Sequence, residues 1–427
     1  MKIGIIGAGF CGLAAAYYLQ KKGHTVTIFE RDESPGGLAI GYKEDKWKWT
    51  LEQHYHHWFT NDKDILDLAK EINYKVIIKR PITSSYVENK IYQLDSPLSL
   101  LKFPKLTIFD RVRMGVSLAV LKYNPYWKPL EKLKAEPFLK KIMGVRGYKT
   151  LWEPLMVNKL GIYSSIVSLA WFWARVYKRT PSLAYPEGGF LKFATHLEKV
   201  IQKNGGEFYY GSEVLNLSSN INPQLSVRIK SKIKTFEFDA IVVTLPSPLF
   251  VKISPDLPKS YTKKLHKLKG IGALNLVLRM KKPFFLNNTY WLSMCDLASP
   301  ILAIVEHTNF MNKKNYDNEH IIYIGNYMET SDPRFTMNEN QLLKLYDPWL
   351  KKINPSYKQA IINSKVFKAP FAQPIIPINY SKDIPSFKTP LKNVYLSNIQ
   401  QVYPWDRGTN YAVQLGKKVS ELISRDE

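Results

Sequence analysis

Lys2–Glu30, KIGIIGAGFCGLAAAYYLQKKGHTVTIFE, is the stretch that decides the fold. A short apolar run, Ile3 to Ile6, reads as a buried strand. Gly7, Gly9 and Gly12 follow at G-x-G-x-x-G spacing. Then come a helix rich in Ala and Leu, Gly23, a second strand over Thr25 to Phe29, and Glu30 at its end. Each part suits a dinucleotide. Gly7 permits the tight turn out of the strand, Gly9 lets the backbone approach a pyrophosphate, and Gly12 lets helix and strand pack closely. The helix start, at Phe10 and Cys11, offers N–H groups and a positive dipole end to the phosphates. Glu30, eighteen residues after Gly12, is placed to accept hydrogen bonds from ribose hydroxyls, and an acid there disfavours the 2′-phosphate of NADP. The competing reading is a glycine-rich turn in an unrelated α/β protein.

The next residues, Arg31 to Leu38, read RDESPGGL. A second glycine pair, Gly36–Gly37, is not part of a simple NAD fingerprint. With it the chain resembles the FAD-dependent amine oxidase superfamily, which includes monoamine oxidases, protoporphyrinogen oxidases and phytoene desaturases. The resemblance rests on Gly7, Gly9, Gly12, Leu13, Gly23, Glu30, Gly36, Gly37 and Leu38, and it continues more weakly to the C-terminus. It implies FAD as cofactor, with the Gly36–Gly37 turn near its flavin end. It also implies an α/β fold, a Rossmann-type FAD-binding domain interleaved with a discontinuous α+β substrate domain.

Length and composition agree. A chain of 427 residues suggests two domains and a large core. Its two cysteines, Cys11 and Cys295, exclude a disulfide framework, a C-x-x-C pair and a cysteine zinc site. Cys11 reads as small-residue packing within the fingerprint. The net charge is +25, which favours anionic partners. The lysines are scattered and no nucleic-acid motif accompanies them, so nucleic acid is not expected. A solvated surface is the plain reading, and an anionic membrane surface the sharper one. Lys2 followed by apolar residues to Leu19 imitates a signal peptide, but the glycine spacing accounts for it better. No uncharged apolar stretch is long enough to span a bilayer, and a cytoplasmic location is expected. The oligomeric state is not legible.

The segments 1–80, 185–250 and 391–427 are expected to form the FAD-binding domain, and 81–184 with 251–390 the substrate domain. Tyr185 onward reads as a glycine turn, an amphipathic helix stopped by Asn204–Gly205–Gly206, and strands at Glu207–Tyr210, around Leu215, Ser226–Lys230 and Thr235–Phe238. A polar hairpin is expected over Ser218 to Gln224, and an apolar strand within Phe238–Pro246. In the family, Val214 matches a residue whose backbone contacts adenine. Block 81–184 is dense in aromatics and expected helices, including Leu106–Leu121 and Leu130–Met143. Leu98–Leu121 mixes apolar residues with Lys102, Lys105, Arg111 and Arg113, a pattern that suits a helix lying in a membrane interface. Strands are expected at Ala273–Met280 and Ile321–Tyr327.

Asn393–Leu396 is an expected strand, followed by a loop and a helix from about Thr409. The superfamily usually has Gly-Asp after this strand, the Asp contacting the ribityl chain. Ser397–Asn398 stands there instead, and Asn398 keeps hydrogen-bonding capacity without charge. Asp406, Arg407, Gly408, Thr409 and Asn410 form a polar cluster whose backbone N–H groups are candidates for the flavin O2 edge. A simple N-cap with an Arg–Asp pair is the bland reading.

Trp49 to Phe59 reads WTLEQHYHHWF. Glu52, His54, His56 and His57 make the densest titratable cluster, and a histidine can exchange protons near neutral pH. The three histidines are too crowded for a zinc site, so no metal is expected. In the superfamily a strand here delivers a loop to the flavin. Monoamine and polyamine oxidases also carry a lysine on the strand before a Pro-Phe turn. Aligning on Pro283–Phe284 puts Asn275 in that place, which weakens an amine oxidase reading. No cysteine follows Cys295, so FAD is expected to be noncovalent. Glu306 to Asn309 is a further polar run, read either as cavity lining or as a strand-end turn.

These features imply an FAD-dependent oxidoreductase that moves a hydride from a bulky, largely apolar small-molecule substrate to flavin N5, with oxygen or another acceptor reoxidising the flavin. Two rivals stay open: a flavin-dependent sugar-nucleotide mutase, and a binding protein that keeps FAD structurally.

Overall fold

The computed structural model describes residues 1–219 and 221–426. Strand Lys2–Ile6, helix Phe10–Gln20 and strand Thr25–Phe29 follow in the expected order, the strands parallel from Lys2 beside Thr25 to Ile6 beside Phe29. Five parallel strands complete this sheet, in the order Glu207–Tyr209, Thr25–Phe29, Lys2–Ile6, Ala240–Val243, Val394–Leu396. Its side chains alternate between two cores, as period-2 geometry demands. Ile3, Ile5, Val26 and Ile28 pack with helices Phe10–Gln20, Phe190–Lys203 and Thr409–Ile423. Phe29, Ile241 and Val243 face the other way. There the antiparallel strands Ser212–Ser219, Pro223–Ile229 and Lys232–Glu237 supply Leu217, Leu225 and Val227. The hairpin expected over Ser218 to Gln224 contains Asn220, which lies outside the described residues.

The first and last helices touch through small residues. A Cβ on Gly416 would sit 2.5 Å from the Cys11 carbonyl oxygen and 2.8 Å from Ala14 Cβ. The C-terminal helix is therefore seated directly behind the phosphate-facing turn.

A second, seven-stranded sheet runs in the order Ile361–Pro374, Gly270–Met280, His320–Met328, Ala303–Glu306, Thr289–Met294, Ile82–Val87, Lys90–Gln93. All neighbours are antiparallel except the pair Thr289–Met294 and Ile82–Val87. Leu274, Leu276, Leu278, Ile322 and Ile324 point to one side, against Leu342, Tyr346 and Leu350 of helix Glu339–Ile353. Asn275, Val277 and Tyr323 point to the other, where Val277 and Tyr323 join the core that also holds the cofactor helices.

Several expectations need correction. The hairpin Ile82–Val87 and Lys90–Gln93 lies in a block read as helical. Its turn residues Glu88 and Asn89 both take positive φ, a type I′ turn, and Glu at the first position hides that signal. The fourteen-residue strand Ile361–Pro374 was masked by Pro370. It occupies a sheet edge, where a missing N–H is tolerated, and its pairing with the neighbouring strand shifts register between Ile271 and Ala273. The helix expected over Leu130–Met143 shortens to Ala135–Met143, because Leu133 and Lys134 are extended and Ala135 N–H donates to Val167 O at 2.9 Å. Leu98–Leu121 is two helices, Pro97–Leu101 and Ile108–Tyr123. They are separated by a turn containing Pro104, and the Thr107 hydroxyl caps the second. No helix among the described residues is long and apolar enough to cross a membrane.

Candidate active site

The phosphate-facing turn is built from glycines with different duties. Gly7 has φ +103°, and a Cβ there would meet Thr244 Oγ1 at 2.5 Å. A Cβ on Gly12 would lie 2.0 Å from the Gly7 carbonyl oxygen. These two are required by the fold. Gly9 is not: its backbone is ordinary extended chain, φ −69°, and the nearest atom to an added Cβ is Gly37 Cα at 3.6 Å. The open space beside Gly9 is therefore a cradle that a side chain would fill and a pyrophosphate fits. No side chain caps helix Phe10–Gln20, which leaves its first N–H groups for an anion.

Gly36 pairs with Gly9 as an isolated parallel bridge. A Cβ on Gly37 would stand 2.9 Å from Gly9 Cα, so the second glycine pair is pressed onto the first. Leu38 is exposed in the short turn that follows. Glu30 closes the other side, accepting from Ala8 N–H at 2.7 Å and Asp32 N–H at 3.0 Å. Burial pushes its carboxyl up, while these donors and Arg31 oppose that. Arg31 is itself exposed, 3.8 Å from Asp32. Ser212 N–H donates to Glu30 O at 2.9 Å, which brings Val214 close. The ladder skips Leu215 beside Val214, opening backbone groups where adenine would rest.

Some expected cofactor residues use their side chains elsewhere. Phe10 stacks on Phe193, ring centroids 5.7 Å apart, and offers only its backbone. The Cys11 thiol, pushed up to about 12 chiefly by burial, donates to Ser397 O at 3.3 Å. Asn398 is spent on local structure: Oδ1 accepts from Gln400 N–H at 3.1 Å, and Nδ2 donates to Leu245 O at 3.0 Å. Thr409 Oγ1 accepts from Trp58 Nε1–H at 2.7 Å, and Asn410 Oδ1 from Ile65 N–H at 3.0 Å. These bonds tie the histidine segment to the start of the last helix. Gly408 has open space around its Cα.

The histidines separate by partner. Asn275 Nδ2 donates to His54 Nδ1 at 2.5 Å, joining the histidine segment to the strand where the lysine was sought. Asn275 Oδ1 is buried without a hydrogen-bond partner. His56 Nδ1–H donates to His54 O at 2.6 Å, which leaves Nε2 as an acceptor. His57 Nδ1 lies 3.1 Å from Tyr290 OH. Burial is the main cause that holds the three rings neutral, His54 at about 3, His56 at about 4 and His57 at about 3. Arg407 adds to the shift at His54 and His56, which sets it beside them. Glu52 is a structural staple: it accepts from Phe190 N–H at 2.8 Å and from Tyr185 OH, and burial lifts it to about 7.

The reading of Glu306–Asn309 as cavity lining is replaced by the strand-end alternative. Glu306 accepts from Phe285 N–H, His307 bonds Tyr316 OH, and Asn309 donates to Thr289 O.

The polar cluster at Asp406 and Arg407 has two partners absent from the sequence reading, Arg175 and Lys159. Arg407 donates to Tyr327 OH and to Ala372 O. Asp406 accepts from Arg175 at 2.7 Å. Arg175 lies 3.4 Å above the Trp171 ring, and Lys159 Nζ 5.1 Å from the Tyr327 ring centroid. Burial raises Asp406, yet Arg175, Lys159 and Arg407 together hold it below the ordinary carboxylate range. Burial, then Arg175, pushes Lys159 well down. Signals existed in Arg175, one turn after Trp171 and directly after the apolar run Leu169–Ala174, and in Lys159 between Met156 and Leu160. Tyr327 also walls a cavity of about 410 Å³ shared with Val157, Leu160, Ile162, Ile271 and Met328. Polar groups line it too, Asn326 and Asp332 among them.

Comparison with known proteins places this geometry. Residues 10–409 match the model of the flavin containing amine oxidoreductase family. The 15-cis-phytoene desaturase of Synechococcus elongatus is 23% identical over 309 residues, a match that covers 65% of this chain and 65% of that enzyme, so less than two thirds of the enzyme's length is spanned. Among solved structures, a protein of Exiguobacterium sp. 255-15 provisionally assigned as a protoporphyrinogen oxidase superposes with TM-score 0.77 at 16% identity, covering 100% of this chain and 99% of its own. A reduced UDP-galactopyranose mutase superposes with TM-score 0.78 at 14% identity, covering 100% and 96%. The uncapped helix and Glu30 lie within the family match, the glycine turn at its start, and that match over residues 10–409 makes this protein a member of the flavin containing amine oxidoreductase family.

Proposed function

We propose that this enzyme removes a hydride from a bulky, largely apolar substrate. The observation that carries the reading is the uncharged pair His54–Asn275, Asn275 being the residue that alignment on Pro283–Phe284 sets against the lysine of amine oxidases. Among the described residues no carboxylate is hydrogen-bonded to the pair, and the nearby Glu52 is bound by Tyr185 and Phe190. FAD, when bound, supplies the hydride acceptor at N5, and oxygen or another acceptor restores it. The protein's part is positional. His56, neutral and fixed as the Nδ1–H tautomer by the His54 carbonyl, keeps Nε2 as a hydrogen-bond acceptor that burial leaves unprotonated near neutral pH. Asn275 Oδ1 offers a buried acceptor to a water or a substrate donor. The cavity beside Tyr327 gives the substrate a route between helix Glu153–Leu160 and strand His320–Met328.

A second reading has its own support. Lys159, Arg175 and Arg407 gather around the single carboxylate of Asp406, and such a surplus suits the diphosphate of a sugar nucleotide. One experiment separates the two. The holoprotein, from a sample of which acid precipitation should release all FAD as a noncovalent group, is mixed anaerobically with isoprenoid polyenes and, after chemical reduction, with UDP-galactose. Flavin bleaching and a product lighter by two hydrogens support hydride removal. Ring interconversion of the sugar without net flavin oxidation supports the mutase.

A further inference from the structure

Helix Ile108–Tyr123 turns an apolar side to solvent. Its inner side is Met114, Ser117 and Leu121. At about 100° per residue, Ile108, Phe109, Val112, Val116, Val120 and Tyr123 all fall within an outward arc of about 120°. They are exposed, Phe109 by 69%, Val120 by 63% and Tyr123 by 81%. Ala119 shares the arc, and no charged residue of the helix does. A surface helix ordinarily turns such a side inward, and a contiguous apolar patch in water marks an interaction site.

The charge around it identifies the partner. Residues 97–149 contain twelve Lys and Arg against three Asp and Glu. Of those acids Glu131 is buried, Glu136 is paired with Lys140 at 2.6 Å, and Asp110 accepts from Thr107 at 2.7 Å. Arg113 flanks the arc on one side, Arg111 and Lys122 on the other. All three donate to backbone carbonyls, not to carboxylates, so their charge is not cancelled locally. A second copy of this chain is disfavoured, because a two-fold contact would bring like-charged rims together.

We propose that this face docks on a lipid bilayer carrying anionic headgroups, the apolar arc entering the edge of the acyl region and the flanking cations meeting the headgroups. The proposal is independent of which substrate the flavin oxidises.

The test is flotation of the full-length holoprotein with vesicles of phosphatidylcholine alone or mixed with phosphatidylglycerol. Binding to the mixed vesicles, weakened at high salt, is expected. Phe109→Ser with Val116→Ser should lower partitioning by about tenfold or more, with FAD content and melting unchanged. Lys128→Glu with Lys132→Glu, two exposed cations of the basic segment 97–149 that follow the helix in sequence, should weaken binding to anionic vesicles without touching the apolar arc, and so serves if the first variant misfolds. Ile233→Ser, an exposed apolar residue of the cofactor-domain hairpin, should bind as the parent does. Three results overturn the proposal: no flotation at low salt, equal binding to neutral vesicles with no salt effect, or a dimer in sedimentation velocity that Phe109→Ser with Val116→Ser dissolves.

Discussion

Asn275 and His54, 221 positions apart in the chain, meet with the amide nitrogen 2.5 Å from the imidazole Nδ1. The contact joins the long strand of the seven-stranded sheet to the histidine segment. It also fixes the His54 proton on Nε2, because Nδ1 is the acceptor.

With an amide and a neutral imidazole at this place, small primary amines have nothing to activate or orient them. A screen of such amines with peroxide detection is expected to give no turnover above background. Fast oxidation of any one would reverse the substrate preference argued from this pair.

Gly9 and Gly12 should fail in different ways. Gly9→Val is expected to fold, since the space beside Gly9 is open to 3.6 Å, but to lose FAD because the side chain occupies the pyrophosphate cradle. Gly12→Ala puts a Cβ 2.0 Å from the Gly7 oxygen, and soluble folded protein should be lost. Circular dichroism and flavin content of the two variants check this, and a flavin-replete Gly9→Val protein would refute the site.

Glu30→Ala should weaken FAD binding by about 1–3 kcal/mol, the range for hydrogen bonds to a charged group. It also releases the Ala8 and Asp32 N–H groups, so some thermal stability should go with it. NADPH should not compete with FAD. Titration of the apoprotein gives both numbers, and an unchanged dissociation constant would show that Glu30 does not reach the ribose.

Stability should fall as the solution is acidified below pH 6.5. His54, His56, His57 and His307 are held by burial at about 3, 4, 3 and 3, against an ordinary 6.5. The unfolded chain therefore binds protons that the folded chain refuses. Each imidazole costs up to about 1.4 kcal/mol per pH unit over that window. Glu52 works in the opposite sense: lifted to about 7, its stabilisation is complete below 4.5 and fades as pH rises through 7. Asp62, lifted by burial to about 6, opposes as well, and so do Glu30 and Glu198, which burial also raises. The four imidazoles, each titrating fully within this range only in the unfolded chain, outweigh these carboxyls between pH 4.5 and 6.5. Urea midpoints at pH 7 and 5 measure the fall, and His307→Gln should make it shallower. Equal midpoints would contradict the neutral histidines.

Local pattern made the nucleotide-binding half legible. Lys2–Glu30 carries its own strand, turn, helix and acid, and the last helix begins at Thr409 as read. The rest depends on contacts that no local pattern encodes. Pro370 looks like a strand breaker until the strand is known to lie at an edge. Asn398 looks free for a ribityl hydroxyl until Gln400 and Leu245 claim its side chain, whereas the bonds from Trp58 and Ile65 take only the side chains of Thr409 and Asn410 and leave the backbone N–H reading untouched. The Asp406–Arg175 pair spans 231 positions, and Lys159 joins it from a third segment.

The small-residue seam between Gly416 and Cys11 has a consequence for biosynthesis. The glycine-rich turn is made on the ribosome about 400 residues before the helix seated behind it, since the seam joins Cys11 to Gly416. Until that helix is made, helix Phe10–Gln20 lacks one of the surfaces it packs against. Contacts of such high sequence separation slow folding and prolong the exposure of apolar surface. Truncation within the last helix should therefore leave aggregation-prone chains, not a smaller working enzyme.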